Sequence, residues 1–173
     1  MQAENTDFQS VIALLVEGNV EFVLIGGLAM IWHGASNDSS DIAISYDRSP
    51  QNLISLVRVL KSCHSRLRNI PNDLPFILDE RTCKNALNLM LATDLGEIDL
   101  LAEPAGVDSC KGLLERSNEM IVFGKPVRVA SLEDLIAMKR AAGRPKDKLH
   151  LLELLDLQQF LHDEAKLDSR ESA

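Results

Sequence analysis

The stretch Phe22-Val23-Leu24-Ile25-Gly26-Gly27 predicts the centre of the fold. Its four apolar residues are typical of a short buried strand, and the two glycines end that strand. Because glycine carries no side chain, Gly26 and Gly27 can begin a helix whose first backbone N–H groups stay open. The positive end of a helix dipole favours an anion, above all a phosphate. We therefore expect Gly26 and Gly27 to contact phosphate groups.

A second predicted strand, Asp41–Tyr46, begins with an acid. Side chains of a strand alternate between its two faces, so residue 43 shares a face with Asp41. Two acids at that spacing would hold Mg²⁺ beside bound phosphates. The second position is Ala43, so one of the two carboxylates expected there is missing.

A third acidic position lies in the later run Glu97-Ile98-Asp99-Leu100-Leu101. Glu97 and Asp99 are two residues apart on a predicted strand and therefore share one face. A carboxylate in an apolar strand is costly to bury without a partner. A metal ion or another cationic ligand would compensate its charge, and so would a structural arginine.

The rest of the chain alternates between helical and strand patterns. Strands are predicted at 21–25, 41–46, 86–93, 97–102, 120–123 and 126–129, and the 86–93 and 97–102 strands form an antiparallel pair. Helices are predicted over the apolar run from Phe8 to Leu15, with Thr6 as its cap, near 28–33, from 50 onward, at 107–119 and 132–142, and from 145 onward. This order indicates an α/β (α+β) fold with a mixed β-sheet flanked by helices. We expect one domain over residues 1–163 and a frayed, charged tail over 164–173.

The composition is that of a globular protein with no general affinity for nucleic acid. The 173 residues are 46% apolar and 25% charged, and the net charge is −8. An acidic surface attracts polyanions poorly, so any nucleotide contact must come from a local basic patch. Three widely spaced cysteines fit neither a zinc site nor a disulfide framework. Without a signal-peptide pattern or a membrane-spanning apolar run, we expect a cytoplasmic protein with no membrane partner.

The basic patch spans the end of the predicted helix at 132–142 and the start of the next helix, and it consists of Lys139, Arg140, Arg144, Lys146 and Lys148. Lys139 is the residue of interest. It shares a helix face with Leu132, Leu135 and Ile136, which directs its ammonium group inward. One interpretation is a triphosphate contact close to the acids. The other is a cation that complements the C-terminal end of a helix dipole.

Several of these segments together resemble a known family. They are Ile25-Gly26-Gly27-Leu28-Ala29, His33-Gly34, Asp41-Ile42-Ala43-Ile44, Gly96-Glu97-Ile98-Asp99-Leu100-Leu101 and the run from Val127 to Arg140. In this order they are similar to the minimal nucleotidyltransferase domain of the DNA polymerase beta type. The run from Val127 to Arg140 is similar to the segment that follows in a bacterial branch of the family, which includes proteins related to abortive-infection and toxin–antitoxin systems.

The resemblance implies transfer of a nucleoside monophosphate from a nucleoside triphosphate to an RNA or protein hydroxyl. It implies Mg²⁺ or Mn²⁺ as cofactor, with Asp41 and Asp99 as catalytic, metal-binding acids and Gly26, Gly27 and Lys139 as nucleotide-binding residues. Ala43 stands in place of the second acid, and Glu97 is the residue that would replace it. Asn37 stands where relatives often carry arginine. The alternative is a catalytically silent nucleotide- or partner-binding module, with a defence-system protein as the partner.

Overall fold

The computed structural model describes residues 6–36, 38–71 and 74–171, and a mixed sheet runs through its centre. Within these ranges the sheet has seven strands in the order β3-β4-β5-β2-β1-β7-β6. Their bounds are β1 Phe22–Ile25, β2 Asp41–Tyr46, β3 Arg66–Leu67, β4 Asn88–Thr93, β5 Gly96–Leu101, β6 Asn118–Val122 and β7 Lys125–Val129. The mixed α/β architecture predicted from the sequence is confirmed.

Helices cover the sheet and join its strands. Their bounds are α1 Phe8–Glu17, α2 Gly26–Trp32, α3 Pro50–Ser62, α4 Glu80–Asn85, α5 Cys110–Arg116, α6 Leu132–Ala142 and α7 Pro145–Glu171. Helix α2 packs against β1, β2 and α6, and α6 packs against α7. Among the described residues, none of these helices combines the length and the apolar character needed to cross a membrane.

The central strands are buried because they pair on both sides and carry apolar side chains. All four residues of β1 are buried. Strand β1 pairs antiparallel with β2 and parallel with β7, while β2 pairs parallel with β5. Such doubly covered strands are near-continuous apolar runs, which is the pattern of Phe22–Ile25. An acid on β2 or β5 is therefore an exception that needs a physical reason.

Local signals explain where α6 begins and ends. The Ser131 hydroxyl accepts a hydrogen bond from the backbone N–H of Asp134, and Gly143 ends the helix in a left-handed conformation (φ 63°). A short polar side chain before the helix and a glycine after it are the usual caps. The predicted helix over 132–142 is found with the same bounds.

Other elements differ from the prediction. The helix predicted at 107–119 is shorter, because Ser109 caps it and Asn118 already belongs to β6. Strand β3 and helix α4 were not predicted. Helix α7 extends through Glu171, and its side chains over residues 164–170 are exposed.

Candidate functional site

The register of two neighbouring strands brings the acids together. In the parallel pair of β2 and β5, Asp41 lies opposite Glu97 and Ala43 lies opposite Asp99. On its other side Ala43 pairs with Ile25, the last residue before the glycine turn. The two predicted acids and that turn therefore meet on one face of the sheet, with Ala43 between them.

The Thr6 hydroxyl joins the starts of β2 and β5 by two hydrogen bonds. It donates to the Ser40 carbonyl at 2.6 Å and accepts from the Glu97 backbone N–H at 3.1 Å. The sequence suggested Thr6 as the cap of α1, but that role belongs to Asp7, whose carboxylate accepts from the Ser10 backbone N–H. Thr6 instead joins the two acid-bearing strands.

An arginine that the sequence analysis did not single out lies among the acids. The Arg68 guanidinium donates to Asp99 at 2.5 Å and also to the Glu97 carboxylate. Its Nη1 atom lies 4.0 Å from Oδ2 of Asp41. The Arg68 side chain is only 14% exposed, so these contacts form with little water. Of the partners considered for a buried acid, the structural arginine is the one present.

The pairing of β3 with β4, and of β4 with β5, explains the position of Arg68. Arg68 follows β3 directly, and its backbone N–H donates to the Met90 carbonyl at 2.8 Å. Met90 on β4 lies opposite Asp99 on β5, which lies opposite Ala43 on β2. One signal for this arrangement was present in the sequence. Arg66-Leu67-Arg68 alternates charged and apolar residues, but the run is too short to indicate a strand.

The electrostatics of Asp99 reflect this crowding. Burial and the neighbouring Asp41 and Glu97 carboxylates raise the pKa of Asp99 to about 6, while Arg68 opposes that rise. Both Asp41 and Glu97 are about one-third exposed (33%), and Asp99 is largely buried. Asp99 is the most buried of the three acids, so burial disfavours its ionised form the most.

The predicted metal arrangement does not match the donors in the structure. Two ions would need carboxylates at positions 41, 43 and 99, and position 43 is an alanine. The remaining acids all lie within 4.0 Å of the Arg68 guanidinium. Over the described residues, no group of three or more His, Cys, Asp or Glu side chains is placed to hold a metal ion.

Gly26 contacts the position of the missing acid. Its φ is +70°, in the left-handed region that favours glycine. A methyl group added at Gly26 would lie 2.9 Å from Cβ of Ala43. The glycine turn and residue 43 are therefore in van der Waals contact, and a longer side chain at position 43 would lie beside the turn.

We predict that Gly26→Ala destabilises the protein more than Gly124→Ala does. Gly124 has a similar φ of +76°, but an added methyl group there would meet nothing within 4 Å. Gly124→Ala should cost only the left-handed strain of alanine, about 1–2 kcal/mol. Gly26→Ala should cost that strain and about 1–3 kcal/mol more for overpacking against Ala43. Urea unfolding of both variants measures the difference, and equal losses would show that the contact with Ala43 is not tight.

Lys139 lies in an ion cluster with Asp147 on α7 and with Arg144, which immediately precedes that helix. Its ammonium donates to Asp147 at 3.1 Å, and the Arg144 guanidinium donates to the same carboxylate at 2.6 Å. Asp147 is 1% exposed, and the Lys139 side chain is 14% exposed. Lys139 therefore points inward, as its helix face indicated, with a carboxylate as its partner.

Arg144 differs from Lys139 because it is open to solvent. Its side chain is 72% exposed. The hydrogen bond to Asp147 and the charge of that carboxylate raise the pKa of Arg144, and the charges of Asp99 and Asp41 add to the rise. Arg144 is therefore the solvent-exposed member of this ion cluster.

Two other predicted positions lie elsewhere. Asn37 is outside the described residues. His33 caps the C-terminal end of α2 and donates from Nε2 to the Ala130 carbonyl at 2.8 Å. It lines a cleft of about 770 Å³ with Glu133 and His162, at the opposite end of α2 from Gly26.

Comparisons with known proteins give the fold a name. No family model matches the chain, and no curated protein sequence does. Solved structures do match. The lincosamide antibiotic adenylyltransferase LnuA, with lincomycin bound, superposes with a TM-score of 0.60 at 14% identity, over 89% of this chain and 99% of that chain.

The antibiotic-resistance protein ANT(2'')-Ia, in complex with adenylyl-2''-tobramycin, superposes with a TM-score of 0.57. The identity is 17%, over 93% of this chain and 94% of that chain. The match extends over nearly the whole length of both proteins, although so few residues are shared. The chain has the nucleotidyltransferase-like fold.

Proposed function

We propose that this protein is a nucleotide-binding module of nucleotidyltransferase-like fold in which nucleotidyl transfer has been lost. The observation that carries the proposal is the row formed by Ala43, Asp99 and Arg68. Ala43 supplies no carboxylate at the position opposite Asp99, and the Arg68 guanidinium donates a hydrogen bond to Asp99 itself. Transfer of the kind implied by the family depends on metal ions held by these acids. The acids remain in place, but their partner is the Arg68 guanidinium instead of the expected metal ion.

Retention of nucleotide binding is supported by what surrounds the acids. The turn at Gly26 keeps the backbone conformation that only glycine adopts readily, directly beside Ala43. Arg144 adds an exposed cation within the field of Asp41 and Asp99. Because two proteins of the same fold are an adenylyltransferase and a complex holding an adenylyl product, ATP is the first nucleotide to test.

Binding and transfer are measured in parallel. Labelled ATP, GTP, CTP and UTP are incubated with the protein and Mg²⁺ or Mn²⁺, alone and with bulk tRNA or cell lysate. The proposal expects a saturable complex with at least one nucleotide and no label in RNA or protein. Label in either acceptor would reject the loss of transfer. The absence of any complex would reject nucleotide binding and favour a partner-binding module.

We predict that Arg144→Ala weakens nucleotide binding by about 1.5–3 kcal/mol, the range for a hydrogen bond to a charged group. The fold should persist, because Arg144 is exposed and Lys139 still pairs with Asp147. Arg140→Ala is the matched control, since Arg140 is an exposed arginine of the same basic patch. Isothermal titration calorimetry measures both variants. Equal effects would mean that the patch acts only through its overall charge.

The second candidate is an active, metal-dependent transferase acting on an RNA or protein hydroxyl. One observation favours it: Asp41 and Asp99 both face the Arg68 guanidinium, at 4.0 Å and 2.5 Å from its nitrogens. Mg²⁺ or Mn²⁺ would then have to displace Arg68 from Asp99. A defence-system partner protein and a cytoplasmic location stay predictions from the sequence.

A further inference from the structure

We propose that the solvent-facing side of α7 is a docking surface for a basic, amphipathic helix of a partner protein. Its apolar part, called the α7 stripe below, consists of Leu149, Leu152, Phe160 and Leu167. The inference goes beyond the proposed function and is independent of it, because the stripe is separate from the acids on β2 and β5.

The α7 stripe lies on the side of the helix that faces away from the domain. At 3.6 residues per turn, its four side chains fall within about 80° around the helix axis. They are between 58% and 68% exposed. Asp147, His150 and Leu154, on the other side of the helix, are at most 8% exposed. Single exposed apolar residues are common, but an aligned row of them marks an interaction site.

The second half of α7 gains little support from the rest of the protein. Every side chain from residue 159 to residue 170 is exposed, so no other element covers this half within the described part of the chain. Helices of this length are marginal in water unless an apolar face is packed. The stripe spans about 27 Å at 1.5 Å per residue, which matches a partner helix of about 18 residues. Helices recognise one another through apolar residues at such spacings.

The charge of this side of α7 identifies the chemistry of the partner. Asp156 and Asp163 lie along the stripe, and Glu164 lies at its edge. All three are exposed, and none of them takes part in the ion pairs of the described residues. The Gln159 amide donates to Asp163 at 3.0 Å, which leaves the negative charge in place. Lysine or arginine beside the apolar residues of the partner would compensate these acids.

The same acids disfavour other occupants of the surface. A second copy of this chain would bring its own Asp156 and Asp163 to the contact, and like charges across an interface are unfavourable. The negative surface of an anionic membrane would be repelled for the same reason. The apolar residues therefore supply the contact area, and the acids select a basic partner.

The test measures the binding of two labelled synthetic peptides by fluorescence anisotropy. Both form amphipathic helices of about 18 residues with leucine on one face, and they carry either lysine or glutamate beside that face. The natural chain should bind the lysine peptide saturably and at least 10-fold more tightly than the glutamate peptide. Hydrogen exchange should slow within residues 149–167 of the complex. Equal binding of both peptides, or slowing confined to another part of the chain, would overturn the proposal.

The apolar contact is tested with Leu152→Ser/Phe160→Ser, which should weaken binding of the lysine peptide at least 10-fold. The matched control is Ile77→Ser/Ile121→Ser, because these isoleucines are 72% and 66% exposed outside α7. The control should leave the affinity unchanged, and equal losses in both variants would overturn the role of the stripe. Circular dichroism establishes that each variant is folded, and glutamine replaces serine in any variant that is not.

The charge selection is tested with Asp156→Asn/Asp163→Asn, which should weaken binding of the lysine peptide at least 5-fold. Glu115→Gln/Glu119→Gln is the control, since it removes two exposed negative charges outside α7. Equal losses would show that the peptide responds to the overall charge and would overturn the proposal.

Sedimentation of the natural chain without peptide tests the second copy as occupant. The proposal expects a monomer at the concentrations used for peptide binding. A dimer that Leu152→Ser/Phe160→Ser abolishes would assign the stripe to self-association and overturn the proposal.

Discussion

Replacing Asp147 by alanine should lower the free energy of unfolding by about 3 kcal/mol. Asp147 is 1% exposed and accepts hydrogen bonds from Lys139 and Arg144. Removing one member of a buried ion pair leaves the other charge without compensation, which typically costs about 3–5 kcal/mol. The lower end applies because Arg144 can return to water, whereas the Lys139 side chain is 14% exposed. Urea denaturation at pH 7 measures the loss.

Asp156→Ala is the matched control, because Asp156 is an exposed acid on the same helix. It should change stability by less than about 0.5 kcal/mol, as surface substitutions usually do. A loss of under about 1 kcal/mol in Asp147→Ala would contradict the prediction. In that case Lys139 would be available for the triphosphate contact that its sequence position suggested.

The pH dependence gives a second check on Asp147. Burial alone would raise its pKa, but hydrogen bonds from Arg144 and Lys139 lower it to about 2, from an ordinary value of 3.8. An acid whose pKa is lower in the folded state stabilises the fold above the unfolded pKa and loses that contribution as the pH falls toward the folded one. The difference between the natural chain and Asp147→Ala should therefore be constant above about pH 5. It should shrink between pH 4 and pH 2.

The sequence predicted the part of the fold that depends on local patterns. A buried apolar run ending in Gly26-Gly27, the strand beginning at Asp41 and the capped helix after Ser131 all have local causes, and all are present. Strand alternation predicted that Asp41 shares a face with residue 43 and that Glu97 shares a face with Asp99. The meeting of the two pairs depends on the parallel register of β2 and β5, which alternation within each strand does not predict.

Arg68 was beyond prediction for a physical reason. Its role depends on an antiparallel pairing with β4 across a two-residue strand, and so short a run has no measurable periodicity. Lys139 shows the opposite case. Its inward direction was predicted from helical spacing, but its partner, Asp147, lies on the next helix. Side-chain partners that come from another element are set by tertiary packing.

Restoring the acid with Ala43→Asp should create a divalent-cation response that the natural chain lacks. The new carboxylate would lie opposite Asp99, beside the Gly26 turn. Without a divalent ion it adds like charge to a crowded cluster and should lower the melting temperature. With Mg²⁺ at 100 times its dissociation constant, binding adds about 2.7 kcal/mol. That corresponds to a rise of about 5–10 °C for a chain of this size.

Ala43→Asn is the control for this experiment, because it has nearly the same size and no charge. It should show no comparable rise with Mg²⁺, since an amide is a weaker ligand than a carboxylate. The natural chain should also respond little, because Arg68 holds Asp99 and Glu97. Differential scanning calorimetry with Mg²⁺ or with a chelator measures all three proteins under the same conditions.

Nucleotidyl transfer decides what the restored acid means for function. Ala43→Asp combined with Arg68→Met supplies the missing carboxylate and removes the competing cation, so this double variant should show the largest gain in label transferred from ATP. Transfer in the double variant but not in the natural chain would mean that two substitutions separate this protein from an active enzyme. A Mg²⁺-dependent rise in melting temperature without transfer would place the remaining defect in the acceptor or nucleotide contacts. If neither appears, the site has changed at more than these two positions, and a partner-binding module without transfer chemistry becomes the better description.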